Sequence, residues 1–262
     1  MGREDFTGFR HHLRELGREL TENLLVLRRV NSTNELARRV LESLPAEAYP
    51  PEPTLVVAYE QTRGRGRLDR AWTSAAGGGL YCTLLLGLPG RQAPQRLPMA
   101  VAVALCRALR GLDAPCELKW PNDLMLAEGK LGGVLVEIVA PPGGGRATAI
   151  IGFGINLAGG ALELPPGAAT LPLRGGRQPT AAEVLAVVAP ALRELPAWIA
   201  SPFELAAAYR DLVRHRAGDP LRWRQGDEEV EGSYAGIDDE GRLILDTAGG
   251  RRLISVGDIM ES

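Results

Sequence analysis

The chain has 262 residues, 45% of them hydrophobic and 24% charged, and its formal net charge is −2. This composition is typical of a globular protein long enough to bury a core, and it excludes the basic field that a dedicated nucleic-acid-binding protein carries. No apolar run is long enough to span a bilayer, and the charged N-terminus lacks a signal segment, so we expect a cytoplasmic protein with no membrane partner.

The N-terminal region predicts two helices separated by a strand. Residues 5–20 place apolar side chains near helical spacing, and residues 23–28 form an apolar strand. Ser32, followed three residues later by Glu35, is a capping box that opens the second helix. The side chains that this helix is expected to bury are Leu36, Val40, Leu41 and Leu44. A capping box needs no functional explanation. However, the N-terminus of the helix also offers free N–H groups and small polar side chains to a polar ligand.

An arginine-rich loop follows the next predicted strand, residues 54–60. We define this loop as residues 63–72, whose first eight positions hold four arginines and two glycines. Gly64 and Gly66 permit close backbone approach to a ligand, and guanidinium forks suit carboxylate and phosphate groups. A dinucleotide-binding G-x-G-x-x-G pattern fails because Asp69 stands at the third glycine position. The loop alone is equally consistent with an anion-binding site and with a solvated turn.

Residues 80–157 predict strands joined by tight connections, with one amphipathic helix among them. The helix covers residues 94–110. The predicted strands are 80–86, 116–120, 124–126, 134–139 and 147–157. Successive strands joined by hairpin signals indicate a largely antiparallel or mixed sheet with its helices on one face. The turn at 121–123 is as consistent with a plain turn as with a functional one.

The C-terminal third predicts a long loop, two helices and a small β-domain. Residues 158–178 are rich in Gly, Pro and Ala, as in loops that act as lids. The predicted helices are 180–195 and 202–215. His215 would close the second helix, where a cation is favourable. The predicted short strands, which we interpret as a small barrel, are 221–224, 228–237, 242–246 and 251–256. The expected domains are residues 1–216 and 217–262.

Four segments, in this order, resemble the biotin–protein ligases. They are Ser32-Thr33-Asn34, Gln61 with the arginine-rich loop, Lys119-Trp120-Pro121-Asn122-Asp123 with Gly129-Lys130-Leu131-Gly132-Gly133, and Gly154-Ile155-Asn156. Together with the small barrel, they resemble the biotin–[acetyl-CoA-carboxylase] ligases over residues 24–256. The resemblance implies an α+β fold. A mixed β-sheet catalytic domain with flanking helices, of the biotin/lipoate ligase type, would precede a small C-terminal SH3-like β-barrel.

The resemblance implies a two-step reaction that uses biotin, ATP and Mg²⁺. Biotin and ATP would form biotinyl-5′-AMP and pyrophosphate, and a lysine of a biotin carboxyl carrier protein would then take the biotinyl group and release AMP. Two alternatives stay open: a lipoate or octanoate ligase of the same fold, and a non-catalytic nucleotide-binding module. Because only 30 residues precede Asn31, the resemblance is to members without an N-terminal DNA-binding domain, and we expect no specific DNA binding. Sheet-to-sheet dimers occur in the family, and an exposed edge strand would permit a homodimer here.

The resemblance also implies roles for individual residues. The catalytic residues would be Arg67, Lys130 and Asp123. Biotin would contact Ser32, Thr33, Asn34, Gln61, Gly64, Arg65, Gly66, Arg67, Lys130 and Gly133. The nucleotide would contact Arg67, Trp72, Lys119, Asn122, Lys130 and Asn156. Asp123 is also the candidate Mg²⁺ ligand. These residue types fit the chemistry, because a carboxylate and a triphosphate must be brought together and preorganised cations offset their repulsion.

Two of these residues have plainer explanations, and one position departs from the family. Lys130 by itself is typical of a solvated hairpin lysine, and Trp72 is equally typical of a core residue. Many family members have glycine where this chain has Asp69. The Asp69 carboxylate would pair with Arg65 or Arg70, and the direction of its effect on loop closure stays open.

Overall fold

The structure of the chain is a computed structural model built on two β-sheets. The residues that it describes are 5–21, 23–45, 51–88, 96–127, 129–140, 146–157, 164–172 and 177–260. No helix in these ranges is long and apolar enough to cross a membrane. Two parts of the expected lid loop, residues 158–163 and 173–176, lie outside the described residues, as does the side chain of Asp69.

The larger sheet has seven strands. In chain order they are β1 (Asn23–Leu27), β2 (Thr54–Ala58), β3 (Gly79–Gly87), β4 (Glu117–Lys119), β5 (Asp123–Leu126), β6 (Gly129–Val139) and β7 (Thr148–Asn156). They lie side by side in the order β1-β2-β3-β7-β6-β5-β4. Strand β1 runs parallel to β2, and every other neighbouring pair is antiparallel. The mixed sheet predicted from the sequence is therefore confirmed.

Helices flank this sheet on both faces. They are α1 (Phe6–Leu20), α2 (Thr33–Glu42), α3 (Leu97–Arg110), α4 (Ala181–Arg193), α5 (Leu195–Ala200) and α6 (Pro202–Leu212). Val57 joins the main core under α1, α3 and α4, whereas Val56 packs on the opposite face with Ala37 and Leu41 of α2. Strands β3 and β7 are apolar and buried along most of their length, so both of their faces need cover. The expectation that the helices share one face is therefore wrong.

The region predicted as two C-terminal helices forms three, and His215 lies beyond them. Pro202 stands in the first turn of α6, where a missing N–H costs nothing. Helix α6 ends at Leu212 because Val213 is extended and pairs with β4 in a parallel bridge. The prediction that His215 closes this helix is wrong, and the His215 ring instead lies 5.7 Å from the ring of Tyr234.

The smaller sheet is antiparallel and contains one strand that the sequence did not predict. Its strands are β8 (Pro220–Gln225), β9 (Glu228–Ile237), β10 (Leu243–Thr247), β11 (Gly250–Ile254) and β12 (Asp258–Met260). They lie in the order β11-β10-β9-β8-β12. The unpredicted strand is β12, which has three residues, too few for a two-residue period to be recognised in a sequence.

Side chains of the larger part of the molecule bind the smaller sheet directly. Arg210 of α6 donates hydrogen bonds to the carbonyl of Ile237 (2.9 Å) and to the carboxylate of Asp239 (3.1 Å). The indole Nε1 of Trp120 donates to the carbonyl of Gly241 at 3.0 Å. These contacts hold the smaller sheet beside the turn between β4 and β5.

Helix α4 begins with a complete capping box. The Thr180 hydroxyl accepts a hydrogen bond from Glu183 N (3.2 Å), and the Glu183 carboxylate accepts from Thr180 N (2.8 Å). The same carboxylate accepts from Arg177 Nη1 at 2.9 Å. The hydrogen bond from Arg177 is the main cause that lowers the pKa of Glu183 to about 2. The folded state therefore favours the ionised carboxylate.

We expect Glu183→Gln to lower the free energy of unfolding at pH 7 by about 0.5–1 kcal/mol, a modest loss because solvent screens the pair. Glutamine keeps an acceptor for Thr180, so the difference isolates the charge. A lowered folded-state pKa stabilises the fold above the unfolded value of about 4.3, and this contribution is lost as the pH falls toward 2. Urea unfolding of both proteins at pH 7, 5 and 3 measures the gap between them. If the difference in free energy of unfolding is as large at pH 3 as at pH 7, the lowered pKa of Glu183 does not stabilise the fold.

Candidate active site

A pocket of about 390 Å³ opens on the sheet face that carries α2. Every site residue predicted from the sequence lines it, except Gly64. The lining residues among them are Ser32, Thr33, Asn34, Gln61, Arg65, Gly66, Arg67, Trp72, Lys119, Asn122, Asp123, Lys130, Gly133 and Asn156. Gly64 lies behind the lining, where an added Cβ would stand 2.6 Å from Ser74 Oγ. Four segments that are distant in sequence thus meet in one cavity.

Three glycines form the floor of this pocket. Gly133 of β6 is paired with Gly154 of β7, and Gly152 lies two residues earlier in β7, so all three share one face. A Cβ at Gly154 would lie 2.6 Å from Trp72 Nε1, and a Cβ at Gly152 would overlap the amide of Asn34. The bare sheet therefore lets other groups approach its backbone. The sequence prediction missed Gly152, although its alternation with Gly154 was an available signal.

Neutral polar groups line the end of the pocket beside α2. Gln61 Oε1 accepts hydrogen bonds from the backbone N of Thr33 (2.9 Å) and from the Thr33 hydroxyl (3.1 Å). Gln61 Nε2 donates to Ser74 Oγ at 2.9 Å, and Ser74 Oγ donates to the carbonyl of Trp72 at 3.1 Å. This chain of hydrogen bonds joins the start of α2 to the arginine-rich loop.

The predicted capping box of α2 is half formed. Ser32 caps the helix, because its hydroxyl accepts a hydrogen bond from Glu35 N at 3.5 Å. The Glu35 carboxylate pairs with Arg39 one turn later instead of returning to the cap. Leu41 is fully buried, whereas the other three side chains predicted to be buried in this helix are half-buried.

The buried amide of Asn34 is engaged by the protein itself. Its Nδ2 donates to the carbonyl of Leu135 (3.4 Å) and to Glu137 Oε2 (3.1 Å), and its Oδ1 accepts from Thr83 Oγ1 (2.7 Å). The other Glu137 oxygen lies 3.7 Å from a guanidinium nitrogen of Arg65. Asn34 therefore ties α2 to β3 and β6 at the wall of the pocket.

Lys130 and Asp123 form an ion pair at the opposite end. Lys130 Nζ donates to Asp123 Oδ1 at 2.7 Å and lies 5.6 Å from the ring centroid of Trp72. Lys119 is paired with Asp123 across β4 and β5, so their side chains share the pocket face. A cation held between a carboxylate and an aromatic face is fixed in place without being hidden from a ligand.

The backbone of Lys130 is held by the described part of the expected lid, residues 164–172. Lys130 N donates to the carbonyl of Gly167 (2.7 Å), and the Lys130 carbonyl accepts from Ala169 N (2.8 Å). Asn156 Nδ2 donates to the carbonyls of Ala169 (3.1 Å) and Lys130 (3.3 Å). The Asn156 amide thus fastens this segment against β6.

Arg67 lies where the two sheets meet. Its Nη1 donates to Asn122 Oδ1 and to Asp258 Oδ1, both at 3.1 Å, and its Nη2 donates to the carbonyl of Gly257 at 3.1 Å. Arg70 donates to the second oxygen of Asp258 at 2.5 Å. The sequence prediction missed Asp258, because it belongs to the short strand β12.

Positive charge predominates in the pocket. The charged side chains that line it are Arg65, Arg67, Arg70, Lys119, Lys130, Asp123 and Asp258. Among the described residues, five cations against two carboxylates leave an excess of three positive charges, although the whole chain carries −2. Such a pocket attracts anions. Within the described ranges, no group of three or more His, Cys, Asp and Glu side chains is placed to hold a metal ion by itself.

Known families match both parts of the chain. The model of the biotin/lipoate A/B protein ligase family matches residues 26–156, and the model of the biotin protein ligase C terminal domain matches residues 220–260. A biotin–[acetyl-CoA-carboxylase] ligase of Paracoccus denitrificans is 35% identical over 89% of this chain and 98% of its own length. The chain belongs to the biotin/lipoate protein ligase family. The resemblance carried by the four sequence segments is thereby confirmed.

Two further similarities support membership in the ligase family. A biotin–[acetyl-CoA-carboxylase] ligase of Mycobacterium tuberculosis is 32% identical over 79% of this chain and 78% of its own length. A solved structure of the biotin protein ligase from Aquifex aeolicus, in complex with biotin and ATP, is similar with a TM-score of 0.75 and 29% identity. That similarity covers 91% of this chain and 98% of the Aquifex chain. The ligase fold therefore extends over both sheets.

We expect Gly154→Ala in this ligase-family chain to displace Trp72, because the new Cβ would lie 2.6 Å from Trp72 Nε1. Overpacking of this kind costs about 1–3 kcal/mol of stability. The Trp72 indole N–H resonance, assigned with Trp72→Phe, should move while those of the other tryptophans stay in place. Gly249→Ala is the control, since its Cβ would meet Thr247 Oγ1 at an ordinary 3.8 Å. A stationary Trp72 resonance would mean that the ring is not packed on this glycine.

Proposed function

We propose that this chain is a biotin–[acetyl-CoA-carboxylase] ligase, which activates biotin with ATP and transfers it to a carboxyl carrier protein. The observation that carries the proposal is one pocket with a neutral polar end beside α2 and a cationic end at Arg67 and Lys130. The Paracoccus and Mycobacterium relatives bear this name, and the Aquifex protein was solved with biotin and ATP.

The neutral end suits the ureido head of biotin, which presents one strong acceptor and two N–H donors. Each polar group buried there without a partner would cost about 1–3 kcal/mol. The Ser32 hydroxyl keeps its own hydrogen for donation while its oxygen caps α2. The Thr33 hydroxyl oxygen is a further acceptor, since its hydrogen is on Gln61, whereas Gln61 has one Nε2 hydrogen left to donate. Asn34 has its amide hydrogens on protein oxygens, so we assign it to shaping the wall of the biotin site.

The cationic end suits the first chemical step. A carboxylate oxygen of biotin attacks the α-phosphorus of ATP, the bond to the β-phosphate breaks, and pyrophosphate leaves. Both reactants are anionic, so their repulsion opposes the step. Arg67 and Lys130 would offset that repulsion and stabilise the charge that develops on the phosphoryl oxygens. Asp123 keeps the Lys130 ammonium oriented at 2.7 Å.

The second step needs no group of the protein to become covalently bound. The neutral ε-amine of the carrier lysine attacks the biotinyl carbonyl carbon, the bond from that carbon to the phosphate oxygen breaks, AMP leaves, and the amine nitrogen releases a proton to solvent. Biotinyl-5′-AMP is already an activated acyl group, which removes the need for an enzyme nucleophile. We place Lys119, Asn122, Asn156 and Trp72 on the nucleotide side, because they line the pocket around Lys130.

Mg²⁺ would accompany the nucleotide. This ion is commonly bound by one or two carboxylates together with phosphate oxygens and water. Asp123 supplies one carboxylate within the pocket, and only one of its oxygens is bonded to Lys130. When bound, the ion would supply additional positive charge at the phosphates.

We further propose that residues 1–216 form the catalytic domain and residues 217–262 an SH3-like barrel. The separate five-stranded sheet supports the division. The register shift after Ile244, which pairs with Gly236 at φ 138°, is the kind of bulge that bends strands in barrels. The three cysteines are buried and free, which fits a cytoplasmic location. Leu25, exposed on edge strand β1, is where a second copy would pair.

The activity is tested by ATP–pyrophosphate exchange without an acceptor protein, with biotin, lipoate or octanoate supplied separately. We expect exchange with biotin alone, because the polar end of the pocket matches a ureido head. Exchange with lipoate or octanoate instead would move the chain to the sister activity of its family. Absence of exchange with all three would overturn the proposal and favour a nucleotide-binding module.

Arg67→Ala and Lys130→Ala should each slow biotin-dependent exchange by about 10²–10³-fold, the usual loss when one preorganised charge is removed from a transition state. Both variants should keep the wild-type circular dichroism spectrum, since both side chains lie at the pocket rather than in the core. Arg251→Ala is the matched control, because it removes an exposed arginine of β11 that pairs with Asp246. Wild-type rates in both pocket variants would show that these cations do not face the reacting groups.

A further inference from the structure

The smaller sheet supplies a carboxylate to the arginine-rich loop. Asp258, the first residue of β12, accepts hydrogen bonds from Arg67 on one oxygen (3.1 Å) and from Arg70 on the other (2.5 Å). The Asp258 side chain is only 15% exposed. The Arg67 side chain is 26% exposed, so its pair with Asp258 is screened less than a surface pair, whereas the Arg70 side chain is 54% exposed and its pair is screened more.

These contacts orient Arg67 and leave part of it available. Its Nη1 also donates to Asn122 Oδ1, and its Nη2 donates to the carbonyl of Gly257. Together with the bond to Asp258, they use three of the five N–H donors of a guanidinium. Among the described residues, no hydrogen bond uses Nε–H or the second Nη2–H. The protein thus holds Arg67 through three N–H groups, and the other two can donate hydrogen bonds to an anion.

The turn between the two arginines has an unfavourable backbone conformation. Residues 67–69 form a single 3-10 turn in which Leu68 has φ 52°, a left-handed value that residues with a side chain avoid. Leu68 as a residue is 61% exposed, so packing does little to offset this cost. Such conformations persist where the surroundings determine them. Backbone hydrogen bonds from Gly66 N to the carbonyl of Arg70 (2.7 Å) and from Arg70 N to the carbonyl of Arg67 (3.2 Å) close the turn, and Asp258 binds the side chains on both sides of Leu68.

We propose that Asp258 is a positioning residue for Arg67, which makes β12 of the smaller sheet part of the adenylation site. Asp258 holds the arginine-rich loop in its working shape before substrates arrive. The described lining has three more cations than carboxylates even with Asp258 counted, so this carboxylate orients Arg67 without cancelling the attraction of the pocket for a phosphate. The inference rests on the proposed function for the identity of that phosphate.

The test compares three variants with the wild-type enzyme in biotin-dependent ATP–pyrophosphate exchange. Asp258→Ala removes the contact, Asp258→Asn keeps its shape without the charge, and Asp258→Glu keeps the charge. Asp246→Ala is the control, because it breaks the exposed pair with Arg251 in the same sheet. We expect kcat/KM for ATP to fall about 10–100-fold in Asp258→Ala, as for a misplaced catalytic group. KM for biotin should stay within about 3-fold, since the polar end is untouched. Asp258→Glu should recover part of the loss, and Asp246→Ala should match the wild type.

A second measurement needs neither substrate nor activity. Trypsin cleavage within the arginine-rich loop of the ligand-free protein should become about 10-fold faster in Asp258→Ala and Asp258→Asn, because cleavage follows local opening. If the wild type shows no biotin-dependent exchange, the proposed function fails while the cleavage comparison still decides the role of Asp258. Two results would overturn the inference: an unchanged cleavage rate in both variants, or a higher kcat/KM for ATP in Asp258→Ala than in the wild type. A higher kcat/KM for ATP would mean that Asp258 competes with the phosphate for Arg67.

Discussion

The pocket depends on the two-residue period of the strands that make its floor. Asp123, Gly133 and Gly154 lie in one row across β5, β6 and β7, so they face the same side. A slip of one residue would turn the side chains of Val134 and Phe153 from the core into the pocket and turn the glycines toward the core. The register is fixed because the opposite face is packed under α3 and α4. The apolar core that stabilises the sheet thus also determines which charged residues and which glycines face the pocket.

The elements that sequence reasoning predicted correctly are those that rest on a local pattern. Strands β2, β3 and β7 and helices α1 and α3 all show an apolar run or a helical period that extends over several residues. Features that depend on distant partners were not predictable in this way. Helix α6 ends early because Val213 gains a bridge to β4, and α2 lies on the second sheet face because β3 and β7 are apolar on both faces. Neither cause is visible within the segment concerned.

For the candidate site, the sequence likewise indicated which residues take part but not how their side chains are arranged. Nearly all the site residues that the four motif segments indicated line the pocket, including Arg67 and Lys130. They did not indicate how each side chain is held. The amides of Asn34 and Asn156 bind protein oxygens, and the carboxylate that holds Arg67 comes from Asp258. Hydrogen-bond partners are decided by three-dimensional proximity, which residue types and spacing within a motif do not determine.

The pairing of cations with carboxylates explains how an acidic chain can present a site for two anions. Five unpaired cations in one small pocket would repel one another and lose their fixed positions. Asp123 holds Lys130, Asp258 holds Arg67 with Arg70, and a nearby glutamate draws Arg65. Each carboxylate lowers the repulsion and orders the cation that it holds. Because the lining contains fewer carboxylates than cations, the remaining field still favours anions. The attraction of the pocket therefore depends on this local imbalance and on its geometry, and it is independent of the net charge of the chain.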